Sequence, residues 1–511
     1  GELNLYTRQT DDRGTWYLPT PLNVEGIDAN YTQIGPLNRQ GTITYGPNGT
    51  AESFDFGEGR GWDGHVSGGS IKLDLGNDWQ LVDRFNLTKG KANTFGLVPN
   101  GSATTVASVA DNGESATGAV TGTVYDGDTP IQQIGRWVVL KDIEAFTNDL
   151  AVSKSWEDFD TSFGIYSATT KAEDWWSIGN TAYHVLQPGG ELLDGIECNT
   201  DAQGCDWNYD ISSVGDASTF AVYATGTWYA TTDLSIDLGL RRENHEVSYS
   251  VDEGLDGEIT KALEYDETKT SWTVGANYAL NDTSGVFVRM NRGYKMPYFD
   301  DFRDNWGAYT GGNDLIKEVT QGELGYKFMN DSIQFFATAF ANEVKGDTFV
   351  RRPGAPAEIL TNEAYGLELD GRYSHDSGFS LSVNATIQET EITASANNEG
   401  NESQRQPGWQ VRVTPSYGFD IGDMYATVYG TLSAVDDRFG NNENTVVLEG
   451  YEKVDVGLTL EPTESLRLQF SVDNLTDEQG ITEGDPRNPD SPNGRYIMPR
   501  SMKLSVSYLF F

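Results

Sequence analysis

The stretch "LELDGRYSHDSGFSLSVNATIQ", from Leu367 to Gln388, consists of two alternating segments joined by a short polar link. In the second segment the apolar residues from Phe379 to Ile387 occupy every other position, and small polar residues lie between them. This period of two puts the apolar side chains on one face of a β-strand. A sandwich core could give the same pattern, but charged residues on the opposite faces favour an aqueous lumen.

The same alternation recurs along the chain, in "LSIDLGLR", "KVDVGLTL", "LRLQFSVDN" and the closing "SMKLSVSYLFF" (Ser501 to Phe511). Each segment has one apolar face and one strongly polar face. The charged residues on the polar faces are predicted to point into the lumen, where they can meet water, each other or a plug: Glu323, Glu368, Asp370, Arg372, Asp455, Arg467 and Asp473.

The links between the segments alternate between short and long. About eighteen strand candidates can be read in order, with short links such as "GND", "MND" and "EPTE". The long links run roughly over 10–63, 90–140, 177–218, 250–268, 295–316, 346–361, 391–407, 434–450 and 475–498. Short turns on one side and long loops on the other are typical of outer-membrane barrels. The sequence therefore predicts an all-β, antiparallel transmembrane β-barrel with short periplasmic turns and long extracellular loops.

Composition narrows the function. The chain has 511 residues and a formal net charge of −42, which argues against nucleic acid as a partner because phosphates would be repelled. No apolar run approaches the length of a membrane-spanning helix, and "GELNLYTRQT" does not have the pattern of a signal peptide. The four histidines are scattered, so nothing local suggests a nucleophilic catalytic site, and we expect no enzymatic activity.

Two cysteines, Cys198 and Cys205, lie close together in the polar segment "ECNTDAQGCDWNYD". Their spacing favours a local disulfide over two free thiols, and an oxidising compartment with it. A zinc site is disfavoured because no histidine lies nearby.

The long links contain much of the acid, as in "VYDGDTP" and "VDEGLDGE". A solvated surface is the simplest interpretation, with divalent cations shared with lipopolysaccharide as the alternative. The Asp-rich segments do not match the calcium-loop pattern, so no residue is assigned to a metal and no cofactor is expected.

From about Val286 onward the chain resembles the barrel of TonB-dependent outer-membrane transporters. The resemblance rests on the order and spacing of "NRGYKMPYFDDFR", "KEVTQGELGYKF", "TAFANEVKGDTF", "NEAYGLELDGRY" and "VDNLTDEQ". It implies a multi-pass protein of the Gram-negative outer membrane that takes up a large nutrient such as a ferric siderophore or an oligosaccharide. The implied partners are lipopolysaccharide, a plug domain, a TonB-type energising complex and the barrel assembly machinery. The terminal aromatics Tyr508, Phe510 and Phe511 then resemble the assembly signal.

The chain departs from the family in two ways. Barrels of this class have about 22 strands around a plug, whereas neither a plug nor the motif for the energising partner is recognisable here. We therefore expect residues 1–511 to form a barrel domain without the plug and roughly the first four strands. Strands overlooked within 10–63 and 90–140 are the alternative. A passive porin of eighteen strands and a structural or adhesive surface barrel remain the other functional hypotheses.

Aromatic residues in the long links are the candidate ligand contacts: Trp207, Tyr209, Trp306 and Tyr309. Aromatic faces suit sugar rings or catechol-type chelators, and plain loop packing is the equal alternative for these four residues. For Trp175 and Trp176, at a strand end, an interfacial aromatic girdle is favoured.

Overall fold

The computed structural model describes residues 1–111, 113–196, 208–350, 355–485 and 493–510. In these ranges eighteen long strands form one antiparallel meander, in which each strand pairs with the next along the chain. The strands are β1 (Glu2–Gly14), β2 (Arg60–Gly76), β3 (Trp79–Pro99), β4 (Pro130–Ser155), β5 (Phe159–Gly179), β6 (Asn208–Tyr229), β7 (Leu234–Glu253), β8 (Lys261–Asn281), β9 (Ser284–Lys295), β10 (Lys317–Met329), β11 (Ile333–Phe349), β12 (Glu358–Ser374), β13 (Phe379–Ala394), β14 (Trp409–Ile421), β15 (Met424–Val435), β16 (Tyr451–Thr463), β17 (Leu466–Asp473) and β18 (Ser501–Tyr508). The predicted fold class and strand count are confirmed.

Short and long connections alternate along this meander, as predicted. β2 and β3 are joined by Asn77 and Asp78, which both have a positive φ, of 50° and 61°. Two such residues make the tight turn whose twist matches antiparallel strands. The links on the other side include 15–59, 100–129 and 296–316. The wall therefore has one end built of turns and one end built of loops.

The register separates an apolar face from a polar face. On β7, Leu238 and Leu240 are 52% and 56% exposed, whereas Asp237 and Arg241 point to the opposite side by alternation. Exposed apolar residues of this kind form the lipid-facing band of such a barrel. All the charged residues that were predicted to face the lumen lie on the face opposite to this band: Glu323, Glu368, Asp370, Arg372, Asp455, Arg467 and Asp473.

Further along β6 to β8 the apolar and polar residues change sides: the lipid-side positions become polar and the lumenal positions become apolar. Beyond Leu240 the lipid-side positions of β7 become polar, starting with Arg242 and Asn244. The lumenal positions change in the opposite sense, to Val247 and Tyr249, which are 1% and 3% exposed. These strands therefore extend past the apolar band, with their water-exposed side outside and their apolar side inside.

Strand length is unequal around the wall. β4 has 26 residues, and β5 to β8 have 20 to 22, whereas β17 and β18 have 8 each. The strands therefore extend the wall farther on the first side than on the second.

The two outermost strands have one partner each. β1 pairs with β2 from Glu2 to Gly14, and β18 pairs with β17 from Ser501 to Tyr508. No ladder joins β1 to β18 in the part of the chain that the structure describes. Leu5 and Leu504 are 68% and 70% exposed on these edges.

The loops contain short elements of their own. They include strands Thr20–Pro21, Gln40–Tyr45, Thr50–Asp55, Thr104–Thr105, Ser115–Gly118, Val124–Asp126, Ala182–Val185, Leu193–Asp194, Arg438–Phe439, Val447–Leu448, Ile481–Gly484 and Asn493–Tyr496, 3₁₀ turns Phe56–Glu58 and Val106–Ser108, and helices α1 (Phe299–Asp304) and α2 (Trp306–Thr310). Ala182–Val185 pairs with the start of β4, where His184 is fully buried and neither ring nitrogen has a hydrogen-bond partner among the described residues. Neither α1 nor α2 has the length and apolar character that crossing a membrane requires.

Candidate functional site

The link between β9 and β10 folds back onto the lumenal wall of β6 to β8. Phe299 and Phe302 of α1, together with Leu315 after α2, form one buried cluster with wall residues, which we call the inner-wall cluster. The wall contributes Ile211, Ala217, Val247, Tyr249, Val251 and Leu263. This packing explains why the lumenal face of these strands turns apolar beyond the membrane band: the loop covers it.

Close approach of α1 depends on a glycine in β6. Phe299 stacks on Tyr249 with ring centroids 5.9 Å apart, and it lies directly over Gly215. A Cβ atom built on Gly215 would come within 2.4 Å of the Phe299 ring. Any side chain at this position would push Phe299 off the wall.

A group of charged residues, which we call the ionic centre, holds α1 from the other side. The guanidinium of Arg303 bonds the carboxylates of Asp300 at 2.7 Å and Asp304 at 2.9 Å. Lys141 of β4 lies 2.9 Å from Asp174 of β5 and 3.0 Å from Asp300. The side chains of Arg303 and Asp174 are only 5% and 3% exposed, and they lie 3.8 Å apart. The ionic centre therefore ties α1 to two different wall strands.

The charges of Asp300 and Arg303 in the ionic centre stabilise each other. Burial raises the pKa of Asp300, but the positive charges of Arg303 and Lys141 outweigh it and leave that pKa below its ordinary value. Burial lowers the pKa of Arg303, but Asp300 and Asp304 outweigh it and raise the pKa above its ordinary value. The guanidinium also lies 4.0 Å above the ring of Trp176, a cation–π contact.

A buried histidine of the wall contacts the start of the loop. His245 of β7 is fully buried, with its Nδ1 2.8 Å from the hydroxyl of Thr219 and its Nε2 3.0 Å from the carbonyl oxygen of Pro297. Its ring centroid lies 4.8 Å from that of Tyr298. The histidine fixes the point where the chain leaves β9 and enters α1.

The docked loop leaves several buried polar atoms without a partner in the described structure. They are the hydroxyl of Tyr265, Nε1 of Trp176, Oδ1 of Asp174 and Oδ1 of Asn305. Each unsatisfied buried group costs about 1–3 kcal/mol. Packing and ion pairs therefore hold α1 and α2 on the wall despite the free-energy cost of these unpaired groups. Displacement of the loop would remove that cost.

The structure brings together three of the four aromatic residues predicted to contact ligand. Tyr209, Trp306 and Tyr309 are half-buried and pack against the inner-wall cluster. The fourth, Trp207, lies outside the described residues. Ligand contact by these residues stays a prediction, but their packing role is now visible: the ring centroid of Tyr309 is 5.1 Å from that of Phe302.

The two tryptophans assigned to an aromatic girdle pack against loop residues. Trp176 lies under Arg303, and the ring of Trp175 meets that of Tyr45 edge-on at 4.9 Å. Both are therefore part of the contact between wall and loops.

Other predicted residues are placed only in part. Cys198 and Cys205, the predicted disulfide, and Phe511 lie outside the described residues. Tyr508 ends β18, and its ring centroid lies 5.0 Å from that of Phe510. The disulfide and the assembly signal stay predictions.

The ionic centre was not found in the sequence. Arg303 lies in the acidic run "DDFRD", and such a run is typical of a solvated surface. Its wall partners Lys141 and Asp174 are remote in the chain, and only the sheet register brings them together. The one available signal was a lone arginine among carboxylates beside two phenylalanines.

Comparison with known proteins identifies the family to which this architecture belongs. The family model described as "TonB dependent receptor-like, beta-barrel" matches residues 3–475. The pesticin receptor of Yersinia enterocolitica is 25% identical over 321 residues, which are 59% of this chain and 45% of that protein. The pesticin receptor of Yersinia pestis matches over the same shares. This chain thus spans less than half the length of the curated relatives it matches.

Solved structures share the fold at low sequence identity. The ferric yersiniabactin uptake receptor FyuA from Yersinia pestis aligns with a TM-score of 0.61 at 15% identity, over 99% of this chain and 76% of that chain. The siderophore receptor PiuA from Acinetobacter baumannii gives a TM-score of 0.66 at 15% identity, over 99% and 71%. Since the family model covers most of the residues, this chain belongs to the TonB-dependent receptor β-barrels of the Gram-negative outer membrane.

Proposed function

We propose that this barrel is part of a receptor that takes up a ferric siderophore. The observation that carries the proposal is the match of the barrel model over residues 3–475. It is supported by the relatives with this fold, among them a ferric yersiniabactin receptor and a siderophore receptor. The low sequence identity to these structures leaves open which chelate is transported.

The aromatic and ionic groups at the outer mouth are the proposed contact region. Tyr209, Trp306 and Tyr309 pack against the inner-wall cluster, and α1, which is part of that cluster, carries Arg303 and pairs with Lys141 through Asp300. A chelate with aromatic rings and negative charge matches that combination, because it can stack on the rings and replace Asp300 on the two cations. Asp300 is the most accessible carboxylate of the ionic centre, with 56% of its side chain exposed.

The open edges of the sheet lead to a proposal about partners. Unpaired backbone groups in lipid cost several kcal/mol each, and β1 and β18 each lack a ladder on one side in the described residues. We infer that about four further strands from outside this sequence complete the wall.

A plug domain would occupy the lumen, a TonB-type complex would supply energy, and the barrel assembly machinery would insert the chain. Lipopolysaccharide would surround the outer rim, with divalent cations on its acidic loops. The receptor would do no covalent chemistry.

The alternatives are a passive porin of eighteen strands and an adhesive surface barrel. A porin wall would close by pairing β1 with β18, and the family match favours the receptor over both alternatives. Cross-linking of cysteines placed at Leu5 and Leu504, in a protein without its native cysteines, separates the two wall arrangements. A direct link in intact cells would overturn the completed-wall proposal.

The test of uptake is growth of an iron-starved strain that lacks its own receptors and expresses the full-length protein. Growth on a ferric siderophore, lost when the energising complex is deleted, is the expected result. Arg303→Ala should weaken binding of that chelate, and Lys295→Ala, which removes an exposed pair with Asp301, is the matched control. Growth on every chelate without the energising complex would indicate a porin. Failure to bind any ferric chelate would refute the proposal.

A further inference from the structure

The link between β17 and β18 contains a pair of short strands that reach from one side of the mouth to the other. Ile481–Gly484 pairs with Asn493–Tyr496, and the second of these also pairs with Thr20–Pro21 of the link after β1. We call Ile481–Gly484 and Asn493–Tyr496 together the ribbon. No ladder joins β1 to β18 in the described residues, and we call the place between these two edges the seam. The ribbon therefore connects two sides of the mouth that the wall leaves unjoined there.

Two arginines hold the ribbon on the side of β13 to β16. Nη1 of Arg405, in the link after β13, lies 2.7 Å from the carboxylate of Glu483. Arg438, in the link after β15, is 7% exposed and donates from Nη2 to the carbonyl oxygens of Ile481 at 2.7 Å and Thr482 at 3.2 Å. Hydrogen bonds with an ionised donor or acceptor are roughly twice as strong as neutral ones. The ribbon is therefore attached on this side by bonds of the stronger kind.

Uncharged groups hold the ribbon on the side of β1 to β4. Oδ1 of Asn493 accepts from Nε2 of Gln132 at 3.0 Å, and Nδ2 of Asn493 donates to the carbonyl oxygen of Gly101 at 3.0 Å. The ladder with Thr20–Pro21 has only two residue pairs, and Pro21 has no backbone N–H to donate. The ribbon is therefore attached on this side by bonds of the weaker kind.

We propose that the ribbon is a hinged strap over the outer end of the seam. It stays attached on the side of β13 to β16 and releases from the side of β1 to β4. The two attachments set this order, because neutral hydrogen bonds open at a lower free-energy cost than charge-assisted ones. Release of one end breaks no ladder between the long strands, so the mouth widens at the seam while the wall stays folded.

The strap stands apart from the proposed uptake of iron. Its argument uses the contacts among the outer links, and it uses no ligand and no residue of the inner-wall cluster or the ionic centre.

The experiment compares how fast single cysteines are labelled at the two attachments. Thr20→Cys puts a thiol on the side of β1 to β4, where Thr20 is 7% exposed and its hydroxyl has no hydrogen-bond partner among the described residues. Leu448→Cys puts a thiol on the other side, where Leu448 is 3% exposed and lies beside Gly484 of the ribbon. Both are made in the purified full-length protein with Cys198 and Cys205 replaced by serine. Each rate of reaction with a water-soluble maleimide is divided by the rate of the same cysteine in the unfolded chain.

We expect the thiol at position 20 to react about tenfold faster than the thiol at position 448, as a difference of about 1.4 kcal/mol between the two openings would give. The cavity that Leu448→Cys leaves loosens its own side, so it works against this result. Asn493→Ala removes both side-chain bonds of Asn493 and should accelerate labelling at position 20 roughly tenfold further, with less than about a twofold change at position 448. Arg438→Ala should have the reverse effect.

Equal labelling at the two positions, or faster labelling at position 448, would overturn the proposal. Equal acceleration of both positions by Asn493→Ala would show a general loosening of the links and would overturn it as well. The first comparison needs neither Asn493→Ala nor Arg438→Ala, so the proposal can fail even where one of these variants does not fold. Because no iron and no ligand is present, such a failure would leave the siderophore proposal untouched.

Discussion

Arg303→Ala should release α1 and α2 from the lumenal wall while the strands stay folded. The substitution removes the cation that lies between Asp300, Asp304 and Asp174 and above Trp176. Asp300 and Asp304 are partly exposed and can be rehydrated, so their loss of a partner contributes little. Asp174 is 3% exposed and would keep only Lys141.

The magnitude follows from that buried carboxylate. Removing one partner of a buried ion pair costs about 3–5 kcal/mol. The cost here lies at the lower end because Lys141 remains, so about 3 kcal/mol is expected. Every 1.4 kcal/mol changes an equilibrium about tenfold. The population of the undocked loop should therefore rise by roughly two orders of magnitude.

Hydrogen exchange measures this change directly. The amides of Phe302, Asn305 and Tyr309 bond within the helices, to Tyr298, Asp301 and Asn305. Their exchange should accelerate about a hundredfold in Arg303→Ala. Lys295→Ala, which breaks an exposed pair worth about 0–1 kcal/mol, should change it by less than about fivefold. Unchanged exchange in Arg303→Ala would refute the reasoning, and so would equal acceleration in β6 to β8, because the loss would then be global.

Three further predictions concern the loops. Gly215→Ala should displace Phe299 and cost docking about 1–3 kcal/mol by overpacking, whereas Gly293→Ala, where a Cβ meets nothing within 4 Å, should leave exchange of α1 unchanged. Burial lowers the pKa of His184 from 6.5 to about 4, so the unfolded loop binds more protons than the folded loop between these pH values. The free energy of opening of 182–185, measured by hydrogen exchange, should be full above pH 6.5 and fall by about 3 kcal/mol towards pH 4. A profile that does not change with pH would contradict this. The lowered pKa of Asp300 means that its contribution is present above its ordinary value of 3.8 and lost only below it. Burial also lowers the pKa of His245, which contacts the start of α1, so docking should weaken below the ordinary histidine pKa of about 6.5. Exchange of α1, corrected for intrinsic rates, should therefore stay constant from about pH 8 to pH 7, and a change within that window would contradict this assignment.

The wall could be predicted from the sequence because its signal is local. Alternation on "FSLSVNATIQ" depends only on neighbouring positions, and short turns such as that after Gly76 carry their own conformational preference. The charged residues Glu368, Asp370 and Arg372 fall on the polar face for the same reason. The register of each hairpin then follows from its turn.

The inner site could not be predicted because its partners are remote. Beyond Leu240 the apolar residues of β7 move from the lipid-facing to the lumenal positions. In the sequence this change resembles the end of an amphipathic strand, and only the position of α1 on the lumenal side explains it. The contact of Arg303 with Asp174 joins a loop to a strand four positions back in the meander. The sequence identifies the aromatic residues as candidates. Whether Trp306 packs against the wall depends on the contact between Arg303 and Asp174, which the sequence does not predict.

The unequal strand lengths have a consequence for how such a receptor changes during evolution. On the side of β4 to β8 an insertion within the extended strands would shift the register of two neighbours at once. The links accept insertions and deletions more easily, both between β5 and β6 and, on the other side, between β15 and β16 and between β17 and β18. Divergence should therefore accumulate in the links around the mouth. The extended parts of β4 to β8 should change more slowly.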